Sequence, residues 1–184
     1  MRLPNLVYAA GGALLLALLS GCAPSDASPP PDPAATFVAP YANDEEALAA
    51  AEEAYAEYTR VMAVILTDGG ENATRLETVA AGDFLEASIG GLEEFESKGG
   101  RASGRVVNSD FQLQRYSSSG SASEVITVYL CSNVSALVLK NAEGESLVAE
   151  GRPDMSILQA TFDFDNQRAV LLVSDVDVWS AGEC

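Results

Sequence analysis

Apolar residues recur every three or four positions before Arg101 and mostly every second position after it. A chain that changes period once in this way builds helices first and strands second. Residues 43–66 carry the strongest helical pattern, with Leu48, Ala51, Tyr55, Tyr58, Met62 and Ile65 on one face. Asn43 is placed to cap this helix and Glu46, three residues on, completes a capping box. Asp44, Glu45 and Glu46 suit the positive end of the helix dipole, and Gly69 and Gly70 end the run. A short helix is expected over 74–80. A third is expected over 83–97, with Leu85, Ser88, Ile89, Leu92 and Phe95 on one side. Gly90 and Gly91 weaken its middle, and Gly99 and Gly100 stop it.

The strands read as three hairpins. Residues 101–116 and 123–132 flank a serine-rich tip at 117–121. Residues 133–140 and 146–149 flank a turn at 141–145, and 155–164 and 168–179 flank Asp165, Asn166 and Gln167. Helices followed by an antiparallel sheet give an α+β domain with the helices on one sheet face. On the last strand Asp175 and Asp177 share one face near Trp179, and Val170, Leu172, Val176 and Val178 are expected on the other.

The first 22 residues have the layout of an export signal. Arg2 supplies positive charge, residues 6–19 are almost wholly apolar, and Leu19, Ser20, Gly21 and Cys22 follow. The apolar run is short for a permanent membrane span. The segment resembles the bacterial lipoprotein signals, whose pattern is Leu, a small residue, Gly or Ala, then Cys. That resemblance implies a diacylglycerol on the Cys22 thiol, palmitate-class acyl chains, and cleavage that leaves Cys22 as the new N-terminus. Two or three acyl chains hold a protein on a membrane far more firmly than one. An uncleaved anchor or an ordinary secretory signal are the alternatives.

Residues 22–42 contain six of the eight prolines and read as an extended tether, at ~3 Å per residue. The expected organisation is therefore a signal peptide over 1–21, a lipidated Cys22 and Pro/Ala/Ser tether over 22–42, and one α+β domain over 43–184. With Cys22 set aside, Cys131 and Cys184 make an even pair. In an exported chain they form a disulfide; a reactive thiol is the alternative, with no His in the sequence to activate it.

Lys and Arg total 10 against 27 Asp and Glu, a net charge of −17. Such a chain repels phosphate backbones, so nucleic acid is excluded as a partner, and anionic headgroups repel the folded part. The acidic excess sits on the helical half. It serves as a solvated outer face or as a surface for a basic partner.

The order of a long helix, shorter helices and final long hairpins over about 44–182 resembles the nuclear transport factor 2-like superfamily. That fold is a cone of helices against a strongly curved antiparallel sheet. A Cys in a central strand with a Trp and a Cys at the end is also similar to small exported lipoproteins of high-GC Gram-positive bacteria. A cystatin-like or other helix-on-sheet domain is the alternative. The cone implies a pocket between sheet and helices, lined here by Tyr55, Tyr58, Met62, Tyr129 and Trp179. Isomerases and dehydratases of that superfamily use an Asp base. Asp175 and Asp177 are the candidates in this chain, with Tyr129 or Tyr55 as hydrogen-bond donor. Against them stands the plain reading of two solvated carboxylates.

Asp163, Phe164, Asp165 and Asn166 superficially suggest a calcium loop but lack the Gly and distant Glu of an EF-hand, and turn chemistry explains them better. No metal and no cofactor is expected. Arg101, Arg105 and Arg115 share strand parity and either face an anion or pair with the acidic helices. The expected function is a membrane-anchored extracytoplasmic lipoprotein whose non-catalytic domain binds a small apolar ligand or an envelope protein. The alternatives are a small hydrolase, isomerase or dehydratase, and a purely structural lipoprotein.

Overall fold

The Asn43 side-chain oxygen accepts from the Glu46 N–H at 2.9 Å, and the Glu46 carboxylate accepts from the Ala42 N–H at 3.0 Å. The first bond satisfies one of the donors that a helix start leaves bare; the reciprocal bond of the expected capping box falls one residue early, on Ala42 and not on Asn43. The computed structural model describes residues 37–38, 40–117, 119–120, 124–182 and 184. Cys22, the signal segment and most of the tether lie outside the described residues, as does part of the serine-rich tip.

In chain order the elements are β1 (Phe37–Val38), α1 (Asp44–Thr67), a 3-10 helix (Ala73–Thr78), α2 (Gly82–Ser97), β2 (Arg101–Ser103), β3 (Val107–Tyr116), β4 (Ser119–Gly120), β5 (Glu124–Asn133), β6 (Val138–Lys140), β7 (Met155–Asp165) and β8 (Val170–Ala181). Both α-helices stop in the same way. After α1, Gly69 N–H bonds Leu66 C=O and Gly70 N–H bonds Ile65 C=O; after α2, Gly99 N–H bonds Glu96 C=O and Gly100 N–H bonds Phe95 C=O. These paired bonds need a left-handed residue, supplied by Gly69 at φ 85° and Gly99 at φ 62°.

Four strands form the main sheet in the order β3-β5-β7-β8, all antiparallel. Its inner face carries Ile126, Val128 and Leu130 from β5, Ala160 and Phe162 from β7, and Leu171 and Val173 from β8. These pack against Ala47, Ala51 and Tyr55 of α1. A second cluster joins Val61 and Ile65 of α1 to Leu76, Val79 and Leu92. Backbone bonds from Val173 N–H to Val79 C=O and from Ala81 N–H to Val173 C=O, each 3.0 Å, dock the inter-helix segment on the edge of β8. No helix among the described residues is long and apolar enough to cross a membrane.

The α+β class and the order of helices before strands match expectation. The nuclear transport factor 2-like cone does not. The main sheet is open, with β3 and β8 as the two end strands of the order, and it is not curled round the helices into a cone. The strands that would extend it form separate ladders, β1 with β4 and β2 with β6. Helix-then-strand order is met by many helix-on-sheet domains, and curvature depends on how distant strands pair, which that order does not fix.

Two hairpins also differ. The expected strand from 101 breaks at Gly104, so that Arg101, Ala102 and Ser103 pair with Lys140, Leu139 and Val138. The turn at 141–145 closes only a single bridge, Lys140 to Ser146. On β8 a bulge at Ser174 separates the pairs Phe162 to Val173 and Thr161 to Asp175. The extra residue shifts the alternation by one. Leu171 and Val173 therefore share the core side with Val176, in place of Val170 and Leu172.

Candidate functional site

A sizeable hollow lies where the second half of α1 passes over the β2–β3 corner. It is a cleft of about 470 Å³, within the ~300–1,000 Å³ usual for small-molecule sites. Met62, Ala63 and Leu66 form the α1 wall, and Val106, Val134 and Leu137 stand among the residues opposite. Among the described residues no carboxylate lines it, and the charged ones that do are Arg60 and Arg105. Gly104 helps to fix this corner. A Cβ there would collide with the Ala136 carbonyl, so the loop after β2 lies directly on the loop after β5.

One hydrogen-bond chain enters the cleft. Thr59 Oγ1 donates to Tyr55 C=O at 2.9 Å, and Asn108 Nδ2 donates to Thr59 Oγ1 at 3.1 Å. The Thr59 hydroxyl has a single hydrogen, so toward Asn108 it can only accept. That requirement turns the amide nitrogen to Thr59 and the amide oxygen away from it. Asn108 Oδ1 is buried and has no hydrogen-bond partner among the described residues. A buried acceptor left bare costs about 1–3 kcal/mol.

Tyr55 and Tyr58 also line the cleft, with ring centroids 5.6 Å apart. Burial raises the Tyr55 hydroxyl well above the usual tyrosine value, and burial pushes Tyr58 up to about 12. Both stay protonated at neutral pH and offer neutral hydroxyls, not a base.

Of the five expected pocket residues, Tyr55, Tyr58 and Met62 meet at the cleft. Tyr129 and Trp179 sit elsewhere, on the outer face of the sheet, because Tyr129 alternates with the inward-facing Val128 and Leu130. Their rings are 5.1 Å apart beside a smaller hollow of about 190 Å³ that also touches Cys131, Ile157 and Cys184. Trp179 is 63% exposed. The expected Cys131–Cys184 disulfide forms, with Cα atoms 5.7 Å apart, and ties β5 to the end of the chain.

Asp175 and Asp177 are both exposed, opposite Thr161 and Gln159 of β7, and neither lines the cleft. The Asp165 carboxylate is already occupied. It accepts from the Gln167 and Arg168 N–H groups and, at 2.6 Å, from Arg168 Nε. Among the described residues no group of three or more His, Cys, Asp or Glu side chains could hold a metal ion. The three arginines do not converge. Arg101 bonds Gly100 C=O, Arg105 lies in the loop before β3 at the cleft, and Arg115 reaches Thr127 Oγ1 at 3.5 Å.

Asn108, Thr59, Leu66, Val134 and Leu137 were outside the expected pocket. The available signal was Gly104, a glycine interrupting an alternating run, which marks a break or close backbone approach. No protein-family model and no curated protein matches the chain.

Proposed function

We propose that this chain is a lipid-anchored protein on the extracytoplasmic face of a membrane, and that its folded part binds a small apolar ligand without transforming it. The observation that carries the ligand reading is the cleft beneath α1. It is mainly apolar, and among the described residues no carboxylate stands on its walls; the polar groups there include Thr59, Asn108 and Arg105. Pockets of that make-up hold ligands by burial of apolar surface and use a few polar groups to orient them. Catalysis by Asp175 or Asp177 is disfavoured because both are in solvent. The anchor rests on the Leu19 to Cys22 sequence. The Cys131–Cys184 disulfide supports an oxidising compartment.

A solvatochromic apolar dye tests the ligand reading. It should bind the protein saturably at one site, and Ala63→Trp, which puts an indole on the cleft wall, should abolish that site. Dye binding that ignores the substitution, or no saturable binding, rejects it. Intact mass after membrane extraction tests the anchor. A chain beginning at Cys22 with a diacylglycerol is expected, and an unlipidated chain rejects it.

A further inference from the structure

On the outer face of the main sheet two strand irregularities meet. β3 has two residues, Asp110 and Phe111, where β5 has only Leu130 between the pairs Ser109 to Cys131 and Gln112 to Tyr129. β8 has Trp179 as an extra residue between the pairs Ile157 to Ser180 and Leu158 to Val178. Leu130 and Leu158 are partners of each other, so the two bulges stand at one level, on the two end strands of the sheet. Bulges re-aim side chains and are common next to functional sites. Phe111 turns to the core beside Tyr55. Asp110 and Trp179 instead line the hollow of about 190 Å³, together with Tyr129, Gln112 and Ile157. Asp110 adopts φ 55° there, a left-handed backbone that Asp and Asn tolerate better than most residues.

The groups gathered at this hollow share one preference. The Tyr129 and Trp179 rings are inclined at 53° with centroids 5.1 Å apart, so they form a corner and not a flat platform. Two π faces at a corner attract a compact cation. Asp110 adds a carboxylate that accepts from Ser109 Oγ at 2.7 Å and has no ion pair among the described residues. No Lys or Arg among the described residues lines the hollow, and exposed Asp175 and Asp177 reinforce the negative sign on the same sheet face. The other walls are Leu130, Ile157 and the Cys131–Cys184 disulfide. Such walls cannot replace the hydration shell of a metal ion or a primary ammonium. An alkylated ammonium needs no replacement, because its methyl groups pack on the rings while its charge meets the carboxylate. We infer that this corner is a second binding site, sharing no residue with the cleft, for a small quaternary ammonium cation.

Trp179 is the single tryptophan of the chain, so its fluorescence reports this site directly. The full-length chain carrying Cys22→Ala, which removes the attachment point of any lipid, is titrated with choline at constant ionic strength. Choline should change the Trp179 emission saturably. Its neutral isostere 3,3-dimethylbutanol, with carbon in place of nitrogen, should need a concentration about tenfold higher or more. Asp110→Asn keeps a residue that tolerates the left-handed backbone and removes the charge, and it should weaken choline by roughly threefold or more. Glu86→Gln, an exposed acid on α2, should leave choline binding unchanged. Phosphatidylcholine vesicles then separate two sources of the same chemistry. A matching change in emission identifies a lipid head group, and its absence a free solute. No saturable response to choline overturns the inference. So does an equal response to the neutral isostere, or an equal loss in Asp110→Asn and Glu86→Gln, which would reduce the effect to the overall negative charge. None of these outcomes bears on the apolar cleft, whose dye assay stands apart.

Discussion

The Tyr116 hydroxyl accepts from the Tyr41 N–H at 3.1 Å and donates to the Tyr41 C=O at 2.6 Å. One phenol thus satisfies both backbone groups of a residue 75 positions earlier, and the Tyr41 ring packs near Tyr116 and Phe164 at 6.1 and 6.5 Å. Tyr116→Phe keeps the ring and strips both bonds. It should destabilise the protein by about 1–3 kcal/mol, read as a lower urea midpoint with an unchanged slope. An unchanged midpoint would show that this clasp contributes nothing.

Gly90 and Gly91 lie in the middle of α2, exposed, and a Cβ on either meets nothing within 4 Å. Gly90→Ala and Gly91→Ala should each stabilise by about 0.5–1 kcal/mol, because alanine loses less backbone freedom on entering a helix. Thermal melts of the two single variants and the double variant check this and its additivity.

Ala169 holds φ 53° in the turn between β7 and β8. An L residue in that region is strained by roughly 1–2 kcal/mol, which glycine relieves. Ala169→Gly should raise the melting temperature, and a fall would mean that the greater freedom of glycine in the unfolded chain outweighs the relief.

The disulfide closes a loop between residues 53 positions apart. Chain entropy alone gives it ~4 kcal/mol. Cys184→Ser, or reduction of the native protein, should lower the unfolding free energy toward that amount. A thiol assay on the unfolded, unreduced protein should find neither Cys131 nor Cys184 free.

The Asp165 carboxyl is held below its usual value of 3.8, first by the Arg168 side chain and then by the Arg168 and Gln167 backbone N–H groups. The unfolded chain takes up the proton at a higher pH than the folded one. This contribution is therefore complete above about pH 3.8 and vanishes as pH falls through the lowered folded value. The pair stands at the surface, with the Asp165 side chain half-buried and Arg168 exposed, so the effect is small. The melting difference between wild type and Asp165→Ala should be present at pH 7 and shrink in strong acid. A difference that persists there would assign the effect to the turn's shape and not to its charge.

Local features were legible in the sequence. Asn43 caps α1 as its place says, though Glu46 reaches back to Ala42 and not to Asn43, and Gly69, Gly70, Gly99 and Gly100 end helices where they stand. Cys131 and Cys184 pair as their number suggested. What was not legible depends on distant pairing. Ser174 has nothing in its chemistry to announce a bulge, yet it moves Leu171 and Val173 onto the core side and leaves Val170 partly exposed. Tyr129 and Trp179 were joined to Tyr55 by an expected concave sheet. With the sheet open, its two faces separate them, and the cleft forms instead where Gly104 breaks a strand.

The Tyr41 clasp also sets how the domain carries load. Phe37 and Val38 pair with Gly120 and Ser119 at the tip of the β3–β5 hairpin. Asn108 stands eight residues from Tyr116 along β3, roughly 25 Å at the rise of a strand. A pull on the N-terminal chain therefore strains the short β1–β4 ladder and the Tyr41–Tyr116 bonds first. The cleft lies toward the other end of β3, away from the point where such a pull is applied.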